Sequence, residues 1–179
     1  MKPRTVKKCE VCGNLFTPFQ TTQKACSLKC AQRHSEALRI KKSARQGKVL
    51  LRQKDRADSL RGAQKAFNEY IRMRDFHKPC ISCGITTGQM HAGHYRTTAA
   101  ASQLRFDTRN VHKQCSQCNS SKSGNIVEYR KELVERIGLA GVVALENNSE
   151  TRKYSINYLR RLARIFRRRA RYYRRLRGV

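Results

Sequence analysis

The sequence predicts an α+β chain assembled from small modules rather than around one large core, and three observations predict it. Eight cysteines fall in four close pairs, the formal charge is +28, and only 39% of the 179 residues are hydrophobic. Such a length holds one ordinary domain or two small ones, and modules this poor in apolar material need other support to stay folded. No run of 18 apolar residues occurs, which excludes a membrane-spanning helix. Met1 to Lys8 lacks the apolar stretch of an export signal, so the expected location is the cytoplasm, where structural disulfides are disfavoured. Forty Lys and Arg against twelve Asp and Glu point first to a polyphosphate partner.

The cysteines supply the missing support. Cys9, Cys12, Cys26 and Cys30 read C-x2-C-x13-C-x3-C, and Cys80, Cys83, Cys115 and Cys118 read C-x2-C-x31-C-x2-C. A tight turn aims two thiolates at one ion while a second pair arrives from elsewhere, which suits tetrahedral zinc. Four thiolates leave no open coordination position, so two structural Zn²⁺ ions are expected.

The elements follow in order. Residues 1–33 form an N-terminal four-cysteine zinc module: Gly13 allows its turn, Phe16 and Phe19 can pack beside the metal, and Ser27 can cap a short helix. Residues 34–75 form a basic helical linker that becomes amphipathic over 60–75, through Ala63, Ala66, Phe67, Tyr70 and Ile71, and ends before Pro79. Residues 76–137 form a second module with short strands at 89–96 and 110–113. A helix then starts at Asn119, carries Val127, Leu133 and Ile137 on one face, and stops at Gly138. Residues 138–179 form an arginine-rich helical tail. From Thr151 onward it holds 12 Lys and Arg and no acid. Leu159, Leu162, Phe166, Tyr173 and Leu176 line one side of it. That stripe marks either a helix docked on its own protein or one that grips a nucleic-acid backbone or a second copy.

Between the cysteine pairs of the second site lie His91, His94, His112, Asp107 and Asn110. A His on one strand, and an Asn five residues before a Cys-x-x-Cys helix start, form the pattern of an HNH, or ββα-metal, nuclease module. The chemistry needs these types. Phosphodiester hydrolysis requires a nucleophilic water, relief of charge on the pentavalent phosphate and help for the leaving oxygen. A neutral imidazole takes the water's proton near neutral pH. A hard ion such as Mg²⁺ binds phosphate oxygens and needs few protein ligands, of which the Asn110 amide oxygen can be one.

The runs Cys80-Ile-Ser-Cys-Gly, Ala92-Gly-His-Tyr-Arg-Thr-Thr-Ala-Ala-Ala, Gln103-Leu-Arg-Phe-Asp, Asn110-Val-His-Lys-Gln-Cys and Cys118-Asn-Ser-Ser-Lys-Ser-Gly-Asn together resemble the NinG family of lambdoid phages. The resemblance is strong over 63–137, present in the first cysteine module and weak in the linker and tail. It implies a phage-encoded recombination endonuclease of the bacterial cytoplasm that cuts Holliday junctions, D-loops and other branched DNA. A symmetric four-way junction needs paired incisions, so a homodimer is the economical assembly, and phage recombination proteins are expected as further partners. On this chain His94 resembles the general base, Asn110 a metal or positioning ligand, and Asn119 the last His or Asn of many HNH enzymes. The acidic ligand common just before the base is here Gly93. His91, on the strand face of Gly93, can replace it, and a His where the family usually has Asp favours Mn²⁺, Co²⁺ or Ni²⁺ over Mg²⁺. Asp107 is the fallback ligand, and Arg96, Lys113 and Lys122 are candidate phosphate contacts. The competing reading is a non-catalytic zinc-containing DNA-binding recombination protein. A structural RNA-binding protein fits the charge but gives no reason for His94 and Asn110.

Overall fold

A computed structural model describes residues 6–178. Met1 to Thr5, part of the segment read as too polar for an export signal, and Val179 of the tail lie outside the described residues. The chain divides after Lys54 into two compact units. Among the described residues no helix is long and apolar enough to cross a membrane.

In the first unit, β1 (Lys7–Lys8) and β2 (Leu15–Phe16) pair antiparallel. Helix α1 (Leu28–Arg74) begins inside the cysteine module, where Ser27 Oγ accepts the Cys30 amide at 3.3 Å, the expected cap. Phe16 is half-buried, but Phe19 is 89% exposed and does not pack beside the cysteines. No break separates module from linker, because the Lys, Arg, Gln and Ala between 28 and 54 are good helix formers with no proline among them.

The second unit contains the rest of α1, the antiparallel pair β3 (Met90–His94) and β4 (Val111–Cys115), and the helices α2 (Ile126–Glu146) and α3 (Ile156–Arg177). The helix expected from Asn119 is interrupted. A single wide turn over Gln117–Ser121 gives way to Ser123, Gly124 and Asn125 at φ of 46°, 91° and 44°. Left-handed backbone is unfavourable for Ser and Asn. It is held by the Gly124 amide on the Cys118 carbonyl at 2.9 Å and by Gln114 Nε2 on the Gly124 carbonyl at 2.6 Å. Gly138, expected as a stop, does break α2, with φ 75°, and a short helical segment follows it.

The linker's second half and the tail, expected as separate segments, pack together as parallel helices. Arg160 reaches Asp55 at 2.7 Å and Arg174 reaches Glu69 at 2.6 Å, each pair the same distance apart along its helix. Gly62 lies midway, beneath the Arg167 guanidinium. Between these ion pairs, Leu159, Ala163, Phe166 and Ala170 of α3 meet Ala63, Ala66, Phe67, Tyr70 and Ile71 of α1. The tail's apolar stripe is thus used within the chain, apart from Leu176, which is exposed. Val111 of β4 belongs to this core, and Ala92 packs against it. A second core joins Ile81, Tyr95, Ala101 and Leu104 to Tyr129, Leu133, Val142 and Leu145 of α2. Phe166 stacks edge-on against Phe67 at 4.8 Å. Phe166→Ala is therefore expected to cost about 3–5 kcal/mol, read as a lower urea midpoint at unchanged zinc content.

Candidate metal centres and the His94 hairpin

The two cysteine groups assemble as the spacing predicts. In the first, the turn after β1 carries Cys9 and Cys12, with Gly13 at φ 78° closing it through its amide on the Cys9 carbonyl at 3.0 Å. Cys26 comes from the bend just before α1 and Cys30 from its first turn. All four sulfurs lie within 4.8 Å of one another. Cys12 and Cys26 are 3.5 Å apart and Cys26 and Cys30 3.8 Å. Zn–S bonds of about 2.3 Å give a tetrahedral edge of about 3.8 Å, so the spacing fits zinc. Backbone N–H groups of Cys12 and Val11 pull the Cys9 thiol down to about 6, while the neighbouring Cys12 sulfur pushes Cys26 up to about 12. Only a cation lets four such thiols ionise together.

In the second group, Cys80 and Cys83 follow α1, Cys115 ends β4 and Cys118 lies in the wide turn, with Cys83 and Cys115 sulfurs 3.7 Å apart. Burial raises the Cys80 thiol, but the amides of Cys115, Cys83 and Ser82 outweigh it and bring it to about 7. Burial pushes Cys118 up to about 12, against the Asn125 amide at 3.6 Å. Four-sulfur coordination is closed, so both sites fit structural zinc.

His94 ends β3 opposite Val111, at the mouth of the loop that joins the strands. Its Nε2 is 3.1 Å from the Arg105 carbonyl oxygen. A carbonyl only accepts, so Nε2 carries the proton and the Nδ1 lone pair is left free. Burial, more than the nearby Arg105 charge, holds the imidazole below its ordinary value, and His94 is neutral at pH 7. Asn110 closes the loop. Its Oδ1 accepts the Arg96 amide at 2.9 Å, its Nδ2 donates to the Arg96 and Leu104 carbonyls at 3.0 and 3.3 Å, and it is fully buried. This amide is spent on positioning the loop. Asp107 is likewise engaged, with Arg109 on both carboxylate oxygens. Burial raises its carboxyl, but the Arg109 guanidinium outweighs that and keeps it ionised.

The other expected residues divide. His91 is half-buried across from Gln114, Asn119 is half-buried in the wide turn, and Lys122 is exposed. Arg96 is not free for phosphate: its guanidinium caps α2 through the carbonyls of Leu145, Glu146 and Asn148 at 3.0, 2.6 and 3.2 Å. Lys113 is buried, with Nζ on the Phe76 carbonyl at 2.7 Å. Among the described residues no further group of three or more His, Cys, Asp or Glu ligands converges beyond the two cysteine sites. His91, His94 and Asp107 therefore form no preformed ligand set for a catalytic divalent ion.

A family model described as Bacteriophage Lambda NinG protein matches residues 1–175. The chain belongs to the NinG family. Protein ninG of Escherichia phage 933W is 40% identical over 174 residues, covering 86% of this chain and 87% of the relative. Protein ninG of Salmonella phage P22 is 41% identical over 168 residues, 83% of each. Protein ninG of Escherichia phage lambda is 54% identical over a shorter 104 residues, 58% of this chain and 51% of the relative. No solved structure matches the chain.

In this NinG-family chain Gly93 is a packing requirement. A Cβ there would lie 2.1 Å from Gln114 Oε1 and 3.0 Å from Gln114 Cβ, so an acidic side chain does not fit that position without displacing Gln114. Sequence reasoning missed the residues that hold this hairpin. Gln114 Nε2 donates to Ser82 Oγ at 2.7 Å. Tyr129 donates to the Gly93 carbonyl at 3.0 Å and accepts from His112 Nδ1 at 3.3 Å. Asp75, fully buried, pairs with Arg74 at 2.7 Å and accepts the Lys113 amide at 3.1 Å. Arg74 also donates to the Thr108 and Val111 carbonyls at 2.7 and 2.8 Å. The adjacent Arg-Asp pair at the end of a helix is a signal too common to single out.

Two outcomes follow from these geometries. Burial, with Arg74 nearby, lowers His112 to about 3. Between pH 6.5 and 3 the unfolded chain then binds one more proton than the folded one, so stability falls as pH falls, by ~1.4 kcal/mol per unit. Urea unfolding of His112→Gln between pH 6 and 5 should be flatter than wild type by nearly that slope. Cys118→Ser should halve the zinc content and lower the melting temperature. An unchanged two zinc ions per chain would remove Cys118 from the ligand set.

Proposed function

We propose that this chain is an endodeoxyribonuclease that cuts Holliday junctions and other branched DNA during phage recombination. The observation that carries this reading is His94, held neutral with Nε2 pinned on the Arg105 carbonyl and Nδ1 open at the mouth of a hairpin that Asn110 closes. An imidazole in that state is a general base. A water gives its proton to Nδ1 as its oxygen bonds to phosphorus, and the bond from phosphorus to the 3′-oxygen breaks. The 3′-oxygen takes a proton from solvent, leaving a 5′-phosphate and a 3′-hydroxyl. The names of the family and its relatives supply the phage setting and no activity.

The side chains present do not fit a preformed catalytic Mg²⁺ or Mn²⁺ site, since the Asn110 oxygen already accepts the Arg96 amide and the Asp107 carboxylate is paired with Arg109. That feature favours a second reading, a zinc-built DNA-binding recombination protein without catalysis. Branch preference in either case comes from shape and from phosphate contacts spread over several arms. Paired incisions across a symmetric junction call for a homodimer.

Cleavage of a synthetic four-way junction beside linear duplex, with Mg²⁺, Mn²⁺ or EDTA, separates the two readings when binding is followed by gel shift. The expected result is nicking near the branch that falls about 10²–10⁴-fold in His94→Ala while junction binding persists. The acid limb of its pH profile should lie below the ordinary imidazole value of about 6.5. Tight junction binding with no nicking under any ion would overturn the nuclease reading in favour of the clamp.

A further inference from the structure

α3 has two opposite faces, and only one is used inside the chain. Leu159, Ala163, Phe166, Ala170 and Tyr173 form the row against α1. Arg161, Arg164, Arg168, Arg171 and Arg175 form a second row, each two residues before or after Leu159, Phe166 or Tyr173 of the first. Two residues turn a helix by about 200°, so the arginine row runs along the side diametrically opposite the core. All five are exposed, and none has an ion pair, hydrogen bond or aromatic partner among the described residues.

The neighbouring arginines show what the five are not doing. Arg160 and Arg174 are ion-paired to α1. Arg177 donates to the Arg74 carbonyl at 2.8 Å, and Arg169 lies over Tyr70 and Phe166. The flanking positions are thus spent on docking the helix. The outward row sets like charges at three- and four-residue spacing, which destabilises a helix unless an external anion answers it. No acidic residue occurs from Thr151 to the end of the chain.

We propose that this row is a rail for the phosphate backbone of a duplex DNA arm, a binding surface separate from the His94 hairpin. The inference rests on the DNA reading above and deepens it. Fourteen residues of helix between Arg161 and Arg175 span about 21 Å, the length of roughly six base pairs at about 3.4 Å each. Guanidinium forks every 3.5 residues, about 5 Å apart, face a duplex whose strands offer a phosphate at comparable intervals. The row contacts phosphates, so it adds grip without reading sequence. It is also fixed relative to the hairpin. Val111, opposite His94, lies in the same core as Leu159 and Phe166, so an arm held on the rail is held at a constant offset from His94.

The test is the salt dependence of binding to a four-way junction and to linear duplex. It uses the full chain, a variant with all five arginines changed to Gln, and one with all five changed to Lys. Arg, Gln and Lys have similar helix propensities, and circular dichroism with zinc content verifies the fold. Five lost phosphate contacts should flatten the log–log slope by about 4 to 5 units in the Gln variant, and the Lys variant should keep most of it.

A folded Gln variant with wild-type slope and affinity would overturn the rail and leave the nuclease reading standing. Wild-type preference for structured RNA over duplex by tenfold or more would overturn the choice of DNA. Failure of the wild type to bind any duplex would sink the rail together with the DNA reading.

Discussion

Four sulfurs from three parts of the second unit converge on one point. Cys80 and Cys83 come from the turn after α1, Cys115 from the end of β4 and Cys118 from the wide turn that leads to α2. Their separations match the edge of a zinc tetrahedron, so one ion would fix a turn, a strand end and a helix entry between the two main apolar clusters of the described residues. The ladder of β3 and β4 is five residues long, and a two-stranded ribbon is marginal by itself. Asn110 fixes its register at the His94 end, and an ion on the four sulfurs would fix it at the Cys115 end.

That dependence explains how the polar groups are spent. In a unit with little core, buried amides and charges do the joining that apolar contacts do in larger domains, provided each is satisfied. Arg74 and Asp75 tie α1 to β4, Arg96 ties the start of the loop to the end of α2, and Tyr129 ties α2 to Gly93. His94 is only half engaged. One ring nitrogen is used to hold the imidazole on the Arg105 carbonyl and the other is left without a partner.

α3 follows the same economy on a larger scale. Its apolar row completes the core that α1 alone leaves open, and its flanking arginines close the edges of the seam by ion pairs to Asp55 and Glu69. Once these are assigned, the remaining positive charge falls on one outward line. The +28 charge of the chain is thus partly structural and partly directed at solvent, a division that composition does not reveal.

The sequence by itself determined the cysteine groups, the two strands, the amphipathic second half of α1 and the polarity of α3. Each of these is local: short cysteine spacings aim thiolates at a common point, and periodicity sets which face is apolar. It also marked His94 and Asn110 by their distance from Cys115. Tertiary structure decided what those residues are free to do. Asn110, Asp107, Arg96 and Lys113 have side chains suited to metal or phosphate, yet each is consumed by a partner distant in sequence or by a loop turn. The space at Gly93 is taken by Gln114 from the facing strand. Donor capacity is a property of the residue, but whether it is already spent depends on which groups the fold brings within 3 Å, and no spacing rule along the chain encodes that.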